Sequence, residues 1–138
     1  MKKQLFVLLG LGLLLVSASA SAHTVNMKVN VPFNFIVSGG TLPNGEYTIR
    51  GLGTSGNAIS IRGSDNDAKS LVLAMHCESV KTPEISKLVF HRYGNRYFLA
   101  QIWMAGNNAG HELPTSRREA EVARDYTLQE VVLVAALR

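Results

Sequence analysis

Two apolar runs, Ser86 to Tyr93 (SKLVFHRY) and Arg96 to Met104 (RYFLAQIWM), flank the dipeptide Gly94-Asn95. Two residues able to hold positive φ angles between β-prone runs predict a tight hairpin. That turn sets a register: Tyr93 against Arg96, Arg92 against Tyr97, His91 against Phe98, Phe90 against Leu99, and Val89 against Ala100. Because side chains alternate between the faces of a strand, one face carries Leu88, Phe90, Leu99 and Trp103, and the other carries Val89, Phe98, Ala100 and Ile102. Both faces are apolar. Such strands belong in the middle of a sheet with a layer over each side, as in a sandwich whose outer side is also covered.

The remainder of the chain extends the β pattern. From Val25 to Val37 the apolar residues fall on every second position, with Asn26, Lys28, Asn30 and Asn34 between them. Pro32 cannot donate to a ladder, so this run predicts two strands or one bent strand. Leu42-Pro43-Asn44-Gly45 reads as a tight turn, and further strands are expected at Glu46 to Leu52, Asn57 to Arg62 and Ser70 to Cys77. Gln129 to Leu137 (QEVVLVAAL) fits a buried helix or a strand, and its β-branched content favours a closing strand. Ser116-Arg117-Arg118-Glu119 has the capping-box spacing and opens the one helical stretch, about three turns long. The fold class is therefore all-β: a small antiparallel β-sandwich of about seven strands with one short helix near the C-terminus. The helix from Ser116 to Tyr126, through Ala120, Val122, Ala123 and Tyr126, is the expected cover for the second face of the hairpin. A covered face favours a monomer, and a dimer is the alternative.

The first 22 residues read as a processing signal. Lys2 and Lys3 precede an apolar stretch, Leu5 to Val16, that is too short to span a bilayer, and small residues follow it. Cleavage is expected before His23, after Ala22, with Ala20 as the competing site. The chain divides into residues 1–22, a cleaved signal, and residues 23–138, a single β-sandwich domain exported through the Sec pathway to the periplasm or the medium. Removing Lys2 and Lys3 from the 14 basic residues leaves 12 against 10 acidic ones. The basic residues are scattered and only Arg117-Arg118 are adjacent, which argues against nucleic acid. No stable membrane span is expected after cleavage. Cys77 is the single cysteine, so no internal disulfide can form, and a small buried hydrophobe is its expected role.

The motif search is mostly negative. Gly51 to Gly56 fits G-x-G-x-x-G, but a dinucleotide fingerprint needs a following helix whose amides hold the pyrophosphate, and the alternating NAISIR follows here. The glycines are expected in a hairpin loop. Asp65-Asn66-Asp67 has Lys69 where a calcium loop needs its third ligand. His76, Cys77, His91 and His111 lack zinc-site spacing, and His76 and Cys77, being adjacent on a strand, face opposite ways. If cleavage falls after Ala22, His23 becomes the amino terminus, and its amine and imidazole together suit Cu(II). Tyr47, Tyr93, Tyr97 and Trp103 are expected to fill the core and its rim; the alternative is that two of them face solvent and stack on sugar rings.

Four segments, VPFNFIV (Val31 to Val37), LPNGEYTIR (Leu42 to Arg50), KLVFHRYGNRYFLAQIW (Lys87 to Trp103) and HELPTSRREAE (His111 to Glu121), resemble a group of small exported bacterial β-rich proteins to which no activity is assigned. The resemblance implies an exported β-rich domain and carries over no site residue. The expected function is a non-enzymatic module of the cell envelope, without a cofactor, that is structural or binds an envelope or extracellular macromolecule. The alternatives are a periplasmic copper-binding protein using His23 and a glycan-binding module.

Overall fold

The computed structural model describes residues 25–53 and 56–135. The expected leader, its cleavage site and His23 lie outside the described residues. The chain is mostly β with one short helix, in the order β1 (Asn26–Val31), β2 (Phe35–Val37), β3 (Gly40–Leu42), β4 (Gly45–Leu52), β5 (Ala58–Gly63), β6 (Lys69–Leu73), β7 (Met75–Glu78), β8 (Lys87–Tyr93), β9 (Arg96–Trp103), β10 (Ala109–Glu112), α1 (Arg117–Val122) and β11 (Leu128–Val134). These are eleven strands where about seven were expected. Strands β1, β4, β5 and β6 form one antiparallel sheet, and β11, β8, β9, β10 and β7 form the path of a second, to which β2 and β3 attach.

Pro32 divides β1 from β2 as its missing amide requires. Ser38 and Gly39, both at positive φ, form a two-residue turn, and the chain returns as β3. Ile36 of β2 pairs in parallel with Phe98 of β9, so the second sheet is mixed rather than purely antiparallel. All three residues of β2 are buried because the strand has packed layers on both sides. The expected strand from Ser70 to Cys77 divides at Ala74 into β6 and β7, which serve different sheets. The amide of Ala74 bonds Asn57 beside β5, whereas the amide of Ser79 bonds Asn108 beside β10. Amides at even and odd positions of an extended run point to opposite edges, so β5 and β10 flank this run on opposite sides and it links the sheets. They meet again where β1 lies against β11.

One core is fed from both sheets: Ile49, Ile59 and Ile61 on one side, and Leu88, Phe90, Leu99 and Ile102 on the other. The hairpin register holds from Tyr93–Arg96 to Phe90–Leu99, with Gly94 at φ +63°. It then shifts at a bulge, and Val89 faces Gln101 instead of Ala100. The extra residue exchanges the faces beyond it. Ile102 joins the main core, while Trp103 turns to the second face, where its indole nitrogen donates to Gln101 at 3.0 Å.

Helix α1 is shorter than expected, six residues from Arg117 to Val122, capped by Ser116 whose hydroxyl accepts from the Glu119 amide at 3.1 Å. It covers only part of the second face: Val122 packs with Ile36, Tyr93 and Phe98, whereas Ala120, Ala123 and Tyr126 remain exposed. Around Trp103 the cover is different. There β10 runs so close that a Cβ added at Gly110 would lie within 2.8 Å of three atoms of the indole ring. Gly110→Val is expected to cost about 1–3 kcal/mol by overpacking a ring with nowhere to move. Thermal melting and the tryptophan emission maximum check it, and an unchanged Tm would mean that β10 does not press on Trp103.

The run from Leu128 to Val134 is a strand, at the edge of the second sheet and half exposed along its length. The segment Ala105 to Gly110 contributes its last two residues to β10.

Candidate functional site

The histidines fall in three places. His91 lies on β8 on the same face as Tyr93, and its Nδ1 donates to the carboxylate of Glu119 at 2.8 Å, while the Tyr93 hydroxyl donates to the same oxygen at 3.1 Å. Glu119 is 5% exposed and is the one buried charged residue among those described. The capping-box spacing suggested that its side chain would return to the Ser116 amide; the carboxylate turns inward to β8 instead. A carboxylate that orients an imidazole is part of an acyl-transfer relay. Here the other ring nitrogen meets no hydroxyl or thiol among the described residues, so the arrangement fastens the helix to the sheet. The signal in the sequence was Glu119 three residues before Val122, on the same helical face, opposite a strand that presents His91 and Tyr93 together.

His76 and His111 stand directly opposite each other on β7 and β10. His76 is well exposed, with Nε2 at 3.8 Å from a carboxylate oxygen of Glu78. His111 is half-buried, and burial holds its pKa below the ordinary imidazole value. Cys77 sits opposite Gly110 and points to the other side from the histidines, as strand alternation requires. It is half-buried rather than buried, and burial together with the Glu112 carboxylate pushes its thiol pKa up, which makes it a poor nucleophile. Among the described residues no three histidine, cysteine, aspartate or glutamate side chains converge as a metal cage.

The other motifs resolve as loops and core. Gly51 lies in β4, and Gly53 and Gly56, both at positive φ, lie between β4 and β5, so a strand follows. Asp65 to Asp67 is a turn in which Asn66 Oδ1 accepts from the Ala68 amide at 2.8 Å. Tyr47, Tyr93 and Trp103 are buried, and Tyr97 stacks on Phe33 with ring centroids 3.7 Å apart. These aromatics fill the core and its rim, as expected, and the alternative of two facing solvent as a stacking platform is not met among the described residues.

A charged surface emerges from strand pairing. On the solvent face of the four-stranded sheet, one rung reads Lys28, Thr48, Arg62, Lys69, and the next reads Asn26, Arg50, Ser60, Leu71. All four cations are exposed, and none makes an ion pair among the described residues. Glu46, at the end of β4, is the one acid of the β1, β4, β5 and β6 strands. A shallow groove of about 460 Å³ crosses this face, lined by Thr48, Arg50, Ser60, Arg62 and Ser64 and bordered by Leu52. Arg50 and Arg62 are diagonal neighbours on adjacent strands, within the reach of long side chains. Two guanidinium forks interleaved with hydroxyls suit carboxylate or phosphate oxygens and the sugar hydroxyls between them.

A second groove, of about 480 Å³, lies where the loop after β7 passes the uncovered end of the hairpin, lined by Pro83, Lys87, Val89, Trp103, Glu130 and Val132. Its mixed charges select no ligand class. No family model, curated protein or solved structure matches the chain.

Proposed function

We propose that the chain is an exported, non-enzymatic β-sandwich module that binds an acidic polysaccharide of the cell envelope or its surroundings on the solvent face of the four-stranded sheet. The observation that carries this reading is the pair of rungs holding Lys28, Arg50, Arg62 and Lys69 with no ion-pair partner among the described residues. Unpaired cations repel one another, an arrangement that an anionic ligand relieves. The face has no aromatic residue on which bases could stack, which favours a glycan over single-stranded nucleic acid. The leader-like first 22 residues support export.

The test is retention on immobilised polygalacturonate, with neutral dextran and duplex DNA as comparisons. Retention on the acidic polymer at low salt is expected to weaken steeply as the screening length contracts to about 10 Å near 0.1 M salt. Arg50→Glu with Arg62→Glu is expected to abolish it while the folding stability stays within about 1 kcal/mol of the parent, because both residues are exposed. Retention that survives the double change, or duplex DNA held as strongly as the polysaccharide, overturns the reading.

A further inference from the structure

We infer that His76 and His111 form a two-imidazole chelating site for a first-row divalent metal ion, Cu(II) in preference to Ni(II) and Zn(II). This site is separate from the basic face and does not depend on the glycan reading.

The inference rests on register. β7 and β10 pair antiparallel with His76 directly opposite His111, and directly opposed residues project from the same side of a sheet with Cβ atoms about 5 Å apart. Two rings at that separation can each bring one nitrogen to a common ion at about 2.0–2.1 Å. The sequence separates these residues by more than thirty positions, and only the pairing of β7 with β10 brings them together. Glu78, two residues beyond His76 on the same side, places a carboxylate oxygen 3.8 Å from His76 Nε2. A carboxylate there orients a ligating imidazole and offsets part of the ion's charge.

The surroundings hold His111 in place. The Gly56 backbone lies beside its Nε2. Ligating histidines commonly give their second N–H to a backbone carbonyl, which fixes the tautomer and leaves the other nitrogen with its lone pair. Cys77 is excluded by strand alternation, so the donors are nitrogens, with water completing the shell. Imidazole with open positions suits copper, nickel and zinc rather than calcium or magnesium, and the affinity order among the divalent ions places copper first.

The test uses the full chain carrying His23→Gln in every sample, so that no amino-terminal imidazole competes. Titration with CuCl2, NiCl2 and ZnCl2 near neutral pH is followed by calorimetry, and the copper sample by electron paramagnetic resonance. One equivalent of Cu(II) is expected, with nitrogen coupling in the spectrum and weaker binding of the other two ions. His76→Ala, a change at a side chain that is 60% exposed, is expected to keep the fold and to weaken copper binding about tenfold or more. His111→Gln, with its fold checked by circular dichroism, is expected to do the same. Copper is also expected to raise the Tm of the parent and not that of either variant. Absence of copper uptake, or uptake of equal affinity in His76→Ala, overturns the inference.

Discussion

Phe90→Ala is expected to remove about 3–5 kcal/mol, enough to bring a domain of this size close to unfolding at 37 °C. Phe90 is fully buried, 0% exposed. It is also the middle of a chain of aromatic rings that crosses the core. Tyr97 of β9 stacks on Phe33, which meets Phe90 edge-on at 5.0 Å; Phe90 meets Phe35 of β2 edge-on at 5.6 Å, and Phe35 meets Tyr47 of β4 at 5.1 Å. Truncation therefore leaves a cavity and ends two edge-to-face contacts, among them the one with Phe35, which holds Phe35 against Tyr47 of the other sheet. Phe90→Leu keeps most of the volume and is expected to cost markedly less, about 1–1.5 kcal/mol. On thermal melting the alanine change should lower Tm by roughly 12–20 °C, at about 4 °C per kcal/mol for a domain of somewhat more than 100 residues. An alanine variant no less stable than the leucine variant would show that the ring chain does not hold the sheets together.

How far the sequence revealed this core depends on where alternation is strict. In β1 the period of two is unbroken, and Met27, Val29 and Val31 are buried while Asn26, Lys28 and Asn30 are exposed. In the hairpin the turn dictated the register for four pairs, and the bulge then shifted it. Strict alternation would have placed the polar Gln101 on the core face between Leu99 and Trp103. A bulge removes that conflict by sending Gln101 and Trp103 to the second face and Ile102 inward. The conflict was legible, but an apolar run on both sides of it hid which residue would be extra. β2 and β3 are only three residues each, and their pairing is set by a two-residue turn and by contact with Phe98, neither of which leaves a periodic signal.

The surfaces were less legible than the core. Lys28, Arg50, Arg62 and Lys69 are spread over more than forty residues and read as scattered charge. Pairing of β1, β4, β5 and β6 sets them on two adjacent rungs of one exposed face. The same holds for His76 and His111. Sequence fixes which residues share a face of one strand, but which strand lies alongside which is decided by tertiary packing. A functional surface assembled across strands is therefore invisible until the sheet order is known.

Glu119→Ala is expected to cost about 2–4 kcal/mol, far more than a surface helix substitution, because it orphans the buried Tyr93 hydroxyl and the His91 Nδ1–H together. The contacts of Glu119 and Val122 with β8 and β9 hold a helix of only six residues, too short to persist by itself. His91→Ala removes one donor and leaves the carboxylate with Tyr93 alone, so its cost should be smaller than that of Glu119→Ala. Because both changes cut the same bond, the double variant should fall short of the sum by about 1–3 kcal/mol. The cluster also has a signature at high pH. Burial, then the Glu119 charge, raises the Tyr93 phenol above its ordinary value of 10.0, so the folded chain holds this proton more tightly than the unfolded chain. That stabilisation is fully present below about pH 10 and is lost as pH rises through the folded value. Tyr93→Phe should remove the part of the alkaline decline that Tyr93 causes, leaving the part due to Tyr47, whose pKa burial also raises. Denaturant melts of the single and double variants at neutral and alkaline pH measure both effects. Additive costs for His91→Ala and Glu119→Ala, together with an unaltered alkaline decline in Tyr93→Phe, would mean that the helix is held by Val122 alone.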